Sequence, residues 1–542
     1  MKLSRNFYRE QDVAGLFGSR FKTNPLNYEV ILPREDYIIR EKLNGLLVFE
    51  QEHLSCRSAE GENDIKSLED ALPGLNCYRS HELPDGNFFV STDTGDWTVL
   101  SRSDFSQLKV SRFSGTLKNK LEKNLILLTD KNINRYIRKL KIRYGFLAEG
   151  PTLHIVVVTS RCNLRCIYCQ ASAGVKPQED MTRKAAAEVV KRIFESPSDS
   201  FIIEFQGGEP LLNFTVIKSI VEDAGRRAGD ENKRVEYSLI SNFTGTATEK
   251  KLAWLLKNDV SVCFSLDGPE ELHVGNRCGN LPDGFQILKD KVNLYKKIWG
   301  ASRKDPPILK ALMTVTRPSL PLFREIVDTY LDFGITDLSV RALTPLGKAG
   351  ERNRALEYTP EEFLEFWKNI VTYIIKLRQN GIQINEFYLE LILTKLFGNE
   401  SGYMDMRSPC GAGYGQILYN TDGKIYTCDE GRMIDSDYFA IGNIAGEHLN
   451  NVLKTEKAKE VFGASFLEQF YCDYCAFKPY CGICPVLMHQ EKGTLYGNVL
   501  DTFRCKVTSG MVEFVLDLLL TDTAAREEFE KILLDVNWQK ME

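Results

Sequence analysis

No apolar run in the 542 residues approaches the roughly 18 positions that a membrane-crossing helix requires. The most suspicious stretch, MVEFVLDLLL near the C-terminus, falls short of that length, and the opening MKLSRNFYREQD lacks the apolar centre of a signal peptide. A cytoplasmic protein with no membrane partner is expected. An excess of positive charge is missing too. The formal net charge is -5, whereas phosphate binding runs on clustered lysine and arginine, so nucleic acid is not an expected partner. The local basic stretch RYIRKLKIRYG reads as a solvated helix face. The chain also has no internal repeat and no long low-complexity linker.

What it does have is a hydrophobic fraction of 43%, enough for real cores in roughly two to four domains. It also has fourteen cysteines, which in a cytosolic chain are not expected to pair as disulfides, so clustered spacing points to metal or redox chemistry. Ten of them fall in two regions, Cys162 to Cys169 and Cys410 to Cys505. Cys56, Cys77, Cys263 and Cys278 read as ordinary buried thiols.

The first region is TSRCNLRCIYCQASAG, with Cys162, Cys166 and Cys169 in C-x3-C-x2-C spacing. A closed zinc site takes four ligands, and the following QASAGVKPQED offers neither cysteine nor histidine. Three thiolates on a cubane of four irons leave one iron without a protein ligand, which is useful where a substrate or cosubstrate must bind iron directly.

From 154 to 343, short apolar stretches recur: HIVVVTS, SFIIEFQGG, EYSLISN, VSVCFSLDG, ILKALMTV and DLSVRAL. Each has the composition of a strand buried on both faces. TRKAAAEVVKRIFES, FTVIKSIVEDAGRRAG and ATEKKLAWLLKND alternate with them as amphipathic helices. The expected fold is α/β, a partial (β/α)6 parallel barrel. Active sites of such folds gather at the carboxyl ends of the strands, where the cysteine loop, GGEP, SN and SLDG all fall. Gly207 and Gly208 are expected to let the backbone approach a ligand, and Glu209 to offer a carboxylate to an ammonium. A turn is the plain alternative for GGEP. Asp267, ending a strand at the barrel mouth, is the candidate catalytic carboxylate.

The cysteine spacing, with Tyr168 before the last cysteine, resembles the radical S-adenosylmethionine (SAM) superfamily. The resemblance implies a SAM-binding 4Fe-4S cluster on Cys162, Cys166 and Cys169, whose open iron chelates SAM and cleaves it to a 5'-deoxyadenosyl radical that abstracts hydrogen. It further implies a cofactor-binding role for Tyr168, Gly207, Gly208, Glu209, Ser241, Asn242 and Arg277, with the methionine amine on Glu209, the ribose or carboxylate on Ser241 and Asn242, and the methionine carboxylate on Arg277.

The second region runs SPCGAGYGQILYNTDGKIYTCDEGRM, FYCDYCAFKPYCGICPV and FRCK. It resembles the SPASM domain of radical enzymes that modify peptides, with one residue fewer than usual before Cys484. Carried over, Cys472, Cys475, Cys481 and Cys505 would hold one auxiliary 4Fe-4S cluster and Cys410, Cys428 and Cys484 the other. No cysteine lies between Cys410 and Cys428, so the fourth position of the second set is open, taken by a residue such as Asp429 or Glu430, or bound by substrate. Taken alone, C-x2-C-x5-C-x2-C also suits zinc. The region is expected to have little core of its own.

LHIVVVTSRCNLRCIYCQ, EFQGGEPLLNF, SGYMDMRSP and CAFKPYCG are similar to the radical maturase of His-Xaa-Ser peptide systems. The domain reading is an N-terminal extension at 1–75, a small α+β module at 76–150, the barrel at 151–350, a helical connector at 351–404, the SPASM domain at 405–510 and a helical segment at 511–542. The resemblance implies a precursor peptide as substrate, its leader gripped by strand addition to the α+β module, and an electron donor such as flavodoxin or ferredoxin. Hydrogen abstraction from a peptide side chain followed by crosslinking is the expected activity. Oxidation of a protein Cys or Ser to formylglycine is the alternative within the superfamily, and a non-catalytic metal-binding peptide scaffold the alternative outside it.

Overall fold

Six of the apolar stretches fold as strands Leu153–Thr159, Ser200–Gly207, Arg234–Ser241, Val260–Ser265, Lys310–Thr314 and Asp337–Arg341, parallel and adjacent in chain order. The computed structural model describes residues 74–539 except 174–178, 304, 306, 308, 351–353, 398–402, 435, 447 and 470, together with the backbone of Tyr28–Glu29, Tyr37–Leu43 and Leu46–Gln51. Most of the 1–75 extension, Cys56 included, therefore lies outside the described residues. Parallel pairing needs crossovers, and the helices Arg183–Phe194, Phe214–Glu231 and Glu249–Lys257 supply the first three. Thr182 and Thr248 start two of them by accepting from the amides of Ala185 and Lys251, a cap worth about 1 kcal/mol each.

The expectation that these strands are buried on both faces holds for Leu153–Thr159 and is corrected for Ser200–Gly207. Along Ser200–Gly207, Phe201, Ile203 and Phe205 pack in the main core, whereas Ile202, Glu204 and Gln206 face a bore cavity of about 750 Å³. Inward side chains fill the bore of a closed eight-stranded barrel, but this sheet does not close on itself. It runs on instead, through the short Asn385–Glu386 beyond the sixth strand and, at the other edge, through Gln416–Tyr419, parallel to the first strand with Leu418 opposite Ile155. Lys424–Tyr426 and Ala440–Asn443 then extend it antiparallel.

That extension overturns a second expectation, that the cysteine-rich region has little core. Leu418, Tyr426, Phe439, Val461 and Val486 are buried together with Ile155 and Val157 of the first barrel strand. The region completes its core by borrowing one face of the barrel sheet.

In the α+β module, Tyr78–Glu82, Phe88–Thr92 and Trp97–Leu100 form a meander followed by helices Arg102–Lys109, Gly115–Lys123 and Ile133–Tyr144. Both turns place glycine at positive φ, Gly86 at 79° and Gly95 at 77°, a conformation that costs a side-chain-bearing residue energy. Phe88 stacks on Phe105 with ring centroids 4.0 Å apart. The other sheet face docks on the CAFKPYC segment. Arg79 pairs with Asp93 at 2.9 Å and Asp473 at 2.8 Å, while Lys478 reaches Asp473 at 2.6 Å, Glu468 at 2.9 Å and Asp93 at 3.1 Å. Arg143, in the stretch expected to be solvated, is buried and donates to the Pro479 carbonyl.

The helix Phe503–Thr521 contains MVEFVLDLLL and buries Val512, Val515 and Leu516. Among the described residues no helix is long and apolar enough to cross a membrane.

Candidate active site and auxiliary cysteine sites

The cysteine loop leaves the first strand at Thr159 and is held on several sides. The amide of Ile167 donates to the Asn276 carbonyl at 2.9 Å, Asn163 Nδ2 to the Thr244 carbonyl at 2.6 Å, and Asn280 Nδ2 to the Asn163 carbonyl at 2.8 Å. The amides of Gly208 and Glu209 donate to the carbonyls of Thr159 and Arg161 at 2.9 and 2.8 Å. A Cβ at Gly207 or Gly208 would collide with those same carbonyls. The expected reason for the two glycines is thereby revised: they admit the chain's own cysteine loop. Gly347, at φ +56°, does likewise from the sixth strand's loop, where a Cβ would strike the Gln170 carbonyl and where Lys348 N donates to the Cys169 carbonyl at 3.1 Å.

Cys162, Cys166 and Cys169 are half-buried free thiols around one cavity of about 180 Å³, which Tyr168, Gly207, Gly208, Asn242 and Arg277 also line. The amides of Leu164 and Ala173 point at the sulfurs of Cys162 and Cys169, each at 3.4 Å. Burial pushes the Cys162 thiol up to about 11 and Cys166 up to about 12, so metal uptake here must displace protons. Among the described residues no three His, Cys, Asp or Glu side chains converge on a single ion. Three thiols ringing a larger space, with amides aimed at two sulfurs, fit a 4Fe-4S cubane better than a closed zinc site.

Several residues expected to meet the cofactor are engaged by the protein instead. Glu209 is fully buried. Its Oε1 accepts from Ser241 Oγ at 2.8 Å and Leu211 N at 3.0 Å, and its Oε2 from Asn242 N at 2.9 Å. Burial raises its carboxyl, and these bonds favour the charged form. Glu209 does not line the cysteine-loop cavity and ties the end of the third strand to the GGEP turn. Ser241 is turned toward Glu209, while Asn242 lines the cavity and donates to Asn163 Oδ1 at 3.0 Å.

Asp267 is likewise fully buried and does not line the cavity. It accepts from Tyr168 Oη at 2.6 Å, Asn276 Nδ2 at 3.2 Å and Thr314 N at 3.2 Å, and pairs with Arg277 at 2.9 Å. The Arg277 guanidinium sits 5.4 Å from the Tyr168 ring centre. Instead of a carboxylate open at the barrel mouth, Asp267 is the anchor of two residues that line the cavity. Of the other cysteines, Cys278 is buried as expected, Cys263 is half-buried and Cys77 is exposed.

Sequence reasoning missed Arg341. It ends the sixth strand and lines three cavities at once: that of the cysteine loop, the bore, and one of about 320 Å³ that Cys484 and Tyr358 also line. An arginine near the carboxyl end of the strand stretch DLSVRAL was the available signal.

The seven C-terminal cysteines separate into two groups. Cys472, Cys475, Cys481 and Cys505 line one pocket, whose wall Cys484 also reaches, with Phe477 N directed at Cys475 Sγ at 3.3 Å. Cys410 and Cys428 are buried in the core that Cys484 packs against. Cys428 caps Asp429–Met433, accepting from Gly431 N at 3.4 Å, and Cys484 stands at the start of Pro485–Lys492. Burial pushes both thiols up, so metal uptake here too would displace protons. These donor sets suit two further iron–sulfur sites.

Residues 156–301 match the model of the radical SAM superfamily, the span that holds the cysteine loop and the first four strands. That span is a radical SAM domain, and the chain has the α/β fold of radical SAM enzymes. It is similar to the cysteine-type anaerobic sulfatase-maturating enzyme of Clostridium perfringens, 26% identical over 61% of this chain and 88% of that one. It is also similar to the radical SAM cyclopropyl synthase TigE of Paramaledivibacter caminithermalis, 22% identical over 73% and 81% of the two chains. The solved structure of anSMEcpe with bound AdoMet and Cp18Cys peptide superposes with a TM-score of 0.58 at 23% identity, over 70% of this chain and all of that one.

Proposed function

We propose that the protein is a maturase that removes hydrogen from a side chain of a ribosomally made precursor peptide and installs a crosslink. The observation that carries this reading is the cavity of about 320 Å³, lined by apolar and charged side chains, which meets the cysteine-loop cavity at Arg341 and Ala342. Leu343, Tyr358, Phe503 and Met511 make its wall, giving a bulky apolar side chain a place beside the cysteine loop. When bound, the cluster on Cys162, Cys166 and Cys169 with SAM supplies a hydrogen-abstracting radical. The chain's own residues do the positioning. Asp267 fixes Tyr168 and Arg277, and Glu209 fixes the GGEP turn and the amide of Asn242. Held geometry of this kind is what makes abstraction selective.

Two auxiliary 4Fe-4S clusters are assigned to the C-terminal cysteines, with electrons delivered by a flavodoxin or ferredoxin. The module sheet, whose last strand is Trp97–Leu100, is assigned to the leader peptide by strand addition. All thirteen described cysteines are free, in keeping with the reducing cytosol. Resemblance to the His-Xaa-Ser maturases favours a peptide encoded beside the gene.

The similarity to sulfatase-maturating enzymes supports a second reading, oxidation of a Cys or Ser to formylglycine. Anaerobic reconstitution with iron and sulfide, followed by incubation with SAM and the peptides encoded next to the gene, distinguishes the two. Loss of two hydrogens with sulfur retained is the expected mass change. Conversion of a thiol to an aldehyde would establish the second reading, and failure to form 5'-deoxyadenosine would refute both.

A further inference from the structure

The sheet of the α+β module has two outer strands of its own. One, Tyr78–Glu82, is already paired antiparallel with Tyr28–Glu29 of the N-terminal extension, which leaves Trp97–Leu100 as the open edge among the described residues. We propose that the leader segment added at this edge is acidic, and that Lys120 selects it by giving up the Val99 carbonyl for a leader carboxylate. The proposal rests on the assignment of this sheet to the leader peptide.

In an antiparallel pair, residues alternate between those bonded to the partner strand and those whose N–H and C=O point away from it. Thr92 N donates to the Asp96 carbonyl at 2.9 Å, and the register sets Trp97 opposite Ser91 and Val99 opposite Phe89. Trp97 and Val99 therefore turn their backbone groups outward. Lys120 Nζ, from the helix Gly115–Lys123, donates to the Val99 carbonyl at 2.6 Å. Among the described residues, no bond from outside the sheet reaches Val99 N or the amide and carbonyl of Trp97. Lysine is a common guard on an edge strand, and an added strand replaces it by supplying an N–H of its own.

The displaced ammonium would stand among other cations. Residues 102–143 hold twelve lysines and arginines against three acidic residues, in a chain of net charge -5. Arg135, from the helix Ile133–Tyr144, donates to the Lys123 carbonyl and so brings that helix against the one bearing Lys120. Asp96, which leads into the edge strand, is already paired with Lys139 at 2.8 Å and Arg135 at 3.6 Å. Lys123 and Arg138 are exposed, and neither side chain has a partner among the described residues. A strand laid along this edge meets positive charge that only an acidic sequence offsets. The open donors and acceptor of Trp97 and Val99 call for a polypeptide backbone, so a leader fits this face better than a nucleic acid.

The test uses the full chain loaded with iron and sulfide, without SAM, and the small peptides encoded next to the gene, labelled and followed by fluorescence anisotropy. One of them is expected to bind, and changing its leader carboxylates to amides should weaken binding by about tenfold or more. Lys120→Glu should weaken the parent peptide similarly while leaving the amide peptide unaffected, which is the signature of a direct pair. Val99→Pro removes an outward N–H and no ladder bond, and should weaken both peptides. Slowed hydrogen exchange across residues 97–100 of the parent protein supplies the decision should Val99→Pro fail to fold. The proposal is overturned if no peptide binds, if the amide peptide binds as tightly as the parent one, if Lys120→Glu is without effect, or if exchange across 97–100 is not slowed. Tighter binding of a single-stranded oligonucleotide than of any peptide would overturn it in favour of nucleic acid, and a dimer that Val99→Pro dissociates would overturn it in favour of a second copy of the chain. SAM is then added to the same samples: product formed without these binding effects refutes the acidic leader alone, and these binding effects without product refute the maturase reading alone.

Discussion

The two cysteine regions reach similar donor chemistry by opposite routes. At the barrel mouth, three thiols lie within eight residues of one loop, half-buried around a cavity, and the protein's effort goes into clamping that loop through the carbonyls of Thr159, Arg161 and Gln170. In the C-terminal region, seven thiols come from four separate stretches and meet only because a sheet extension, a helix start and a docked module bring them together. A local site can be lost without harm to the fold. A distributed one is part of the fold.

The largest effect is expected where the comparison is sharpest. Cys162→Ala, Cys166→Ala or Cys169→Ala should abolish 5'-deoxyadenosine formation while melting within a few degrees of the parent, read by anaerobic thermal unfolding. Production continuing in any of the three would break the assignment of the open site. Cys475→Ala should act in the other sense, removing about four irons and lowering stability, because its loop also carries the docked module. Unchanged stability would place the two regions on the same footing.

Lys478→Met tests the docking itself. It leaves the half-buried Asp93 and Asp473 with Arg79 as their remaining cation and removes the Lys478 pair of Glu468, and breaking such a network around a buried lysine costs up to about 3–5 kcal/mol. A shift of the urea midpoint measures it, and a near-neutral result would mean that apolar packing alone holds the module.

The smallest effect is a control that belongs to the barrel alone. Glu386 is buried where it accepts from Trp367 Nε1 at 2.8 Å and Leu389 N at 2.9 Å, and burial pushes its carboxyl up from 4.5 to about 7. A raised folded-state value means the protonated form is favoured, so this contribution is complete below the ordinary carboxyl value and is lost as pH rises through about 7. Stability should fall by an amount on the order of 3 kcal/mol between about pH 5 and 8, and Glu386→Gln should flatten that slope. An unchanged slope in the variant would assign the pH dependence elsewhere.

What could be read in advance follows the same division. The six strands and the three-cysteine loop were legible because their signals are local: apolar runs bounded by turns, and one spacing on one loop. Glu209 and Asp267 were correctly located at strand ends, but whether a carboxylate faces a ligand or its own neighbours depends on Ser241, Tyr168 and Arg277, which only the assembled barrel brings near. The core of the cysteine-rich region was missed because its apolar residues pack on Ile155 and Val157, more than two hundred positions earlier in the chain than most of them.

Gln416–Tyr419 is hydrogen-bonded edge to edge with Leu153–Thr159, the strand from which the cysteine loop departs. One backbone ladder therefore runs from the root of the SAM-binding loop to the stretch between Cys410 and Cys428. Clusters bound at the two ends of that ladder would keep a fixed separation while substrates come and go, so an electron path between them would be set at folding and not at binding. A chimera that exchanges the C-terminal region must also carry a strand that accepts this edge in the same register, or the path is lost even with every cysteine in place.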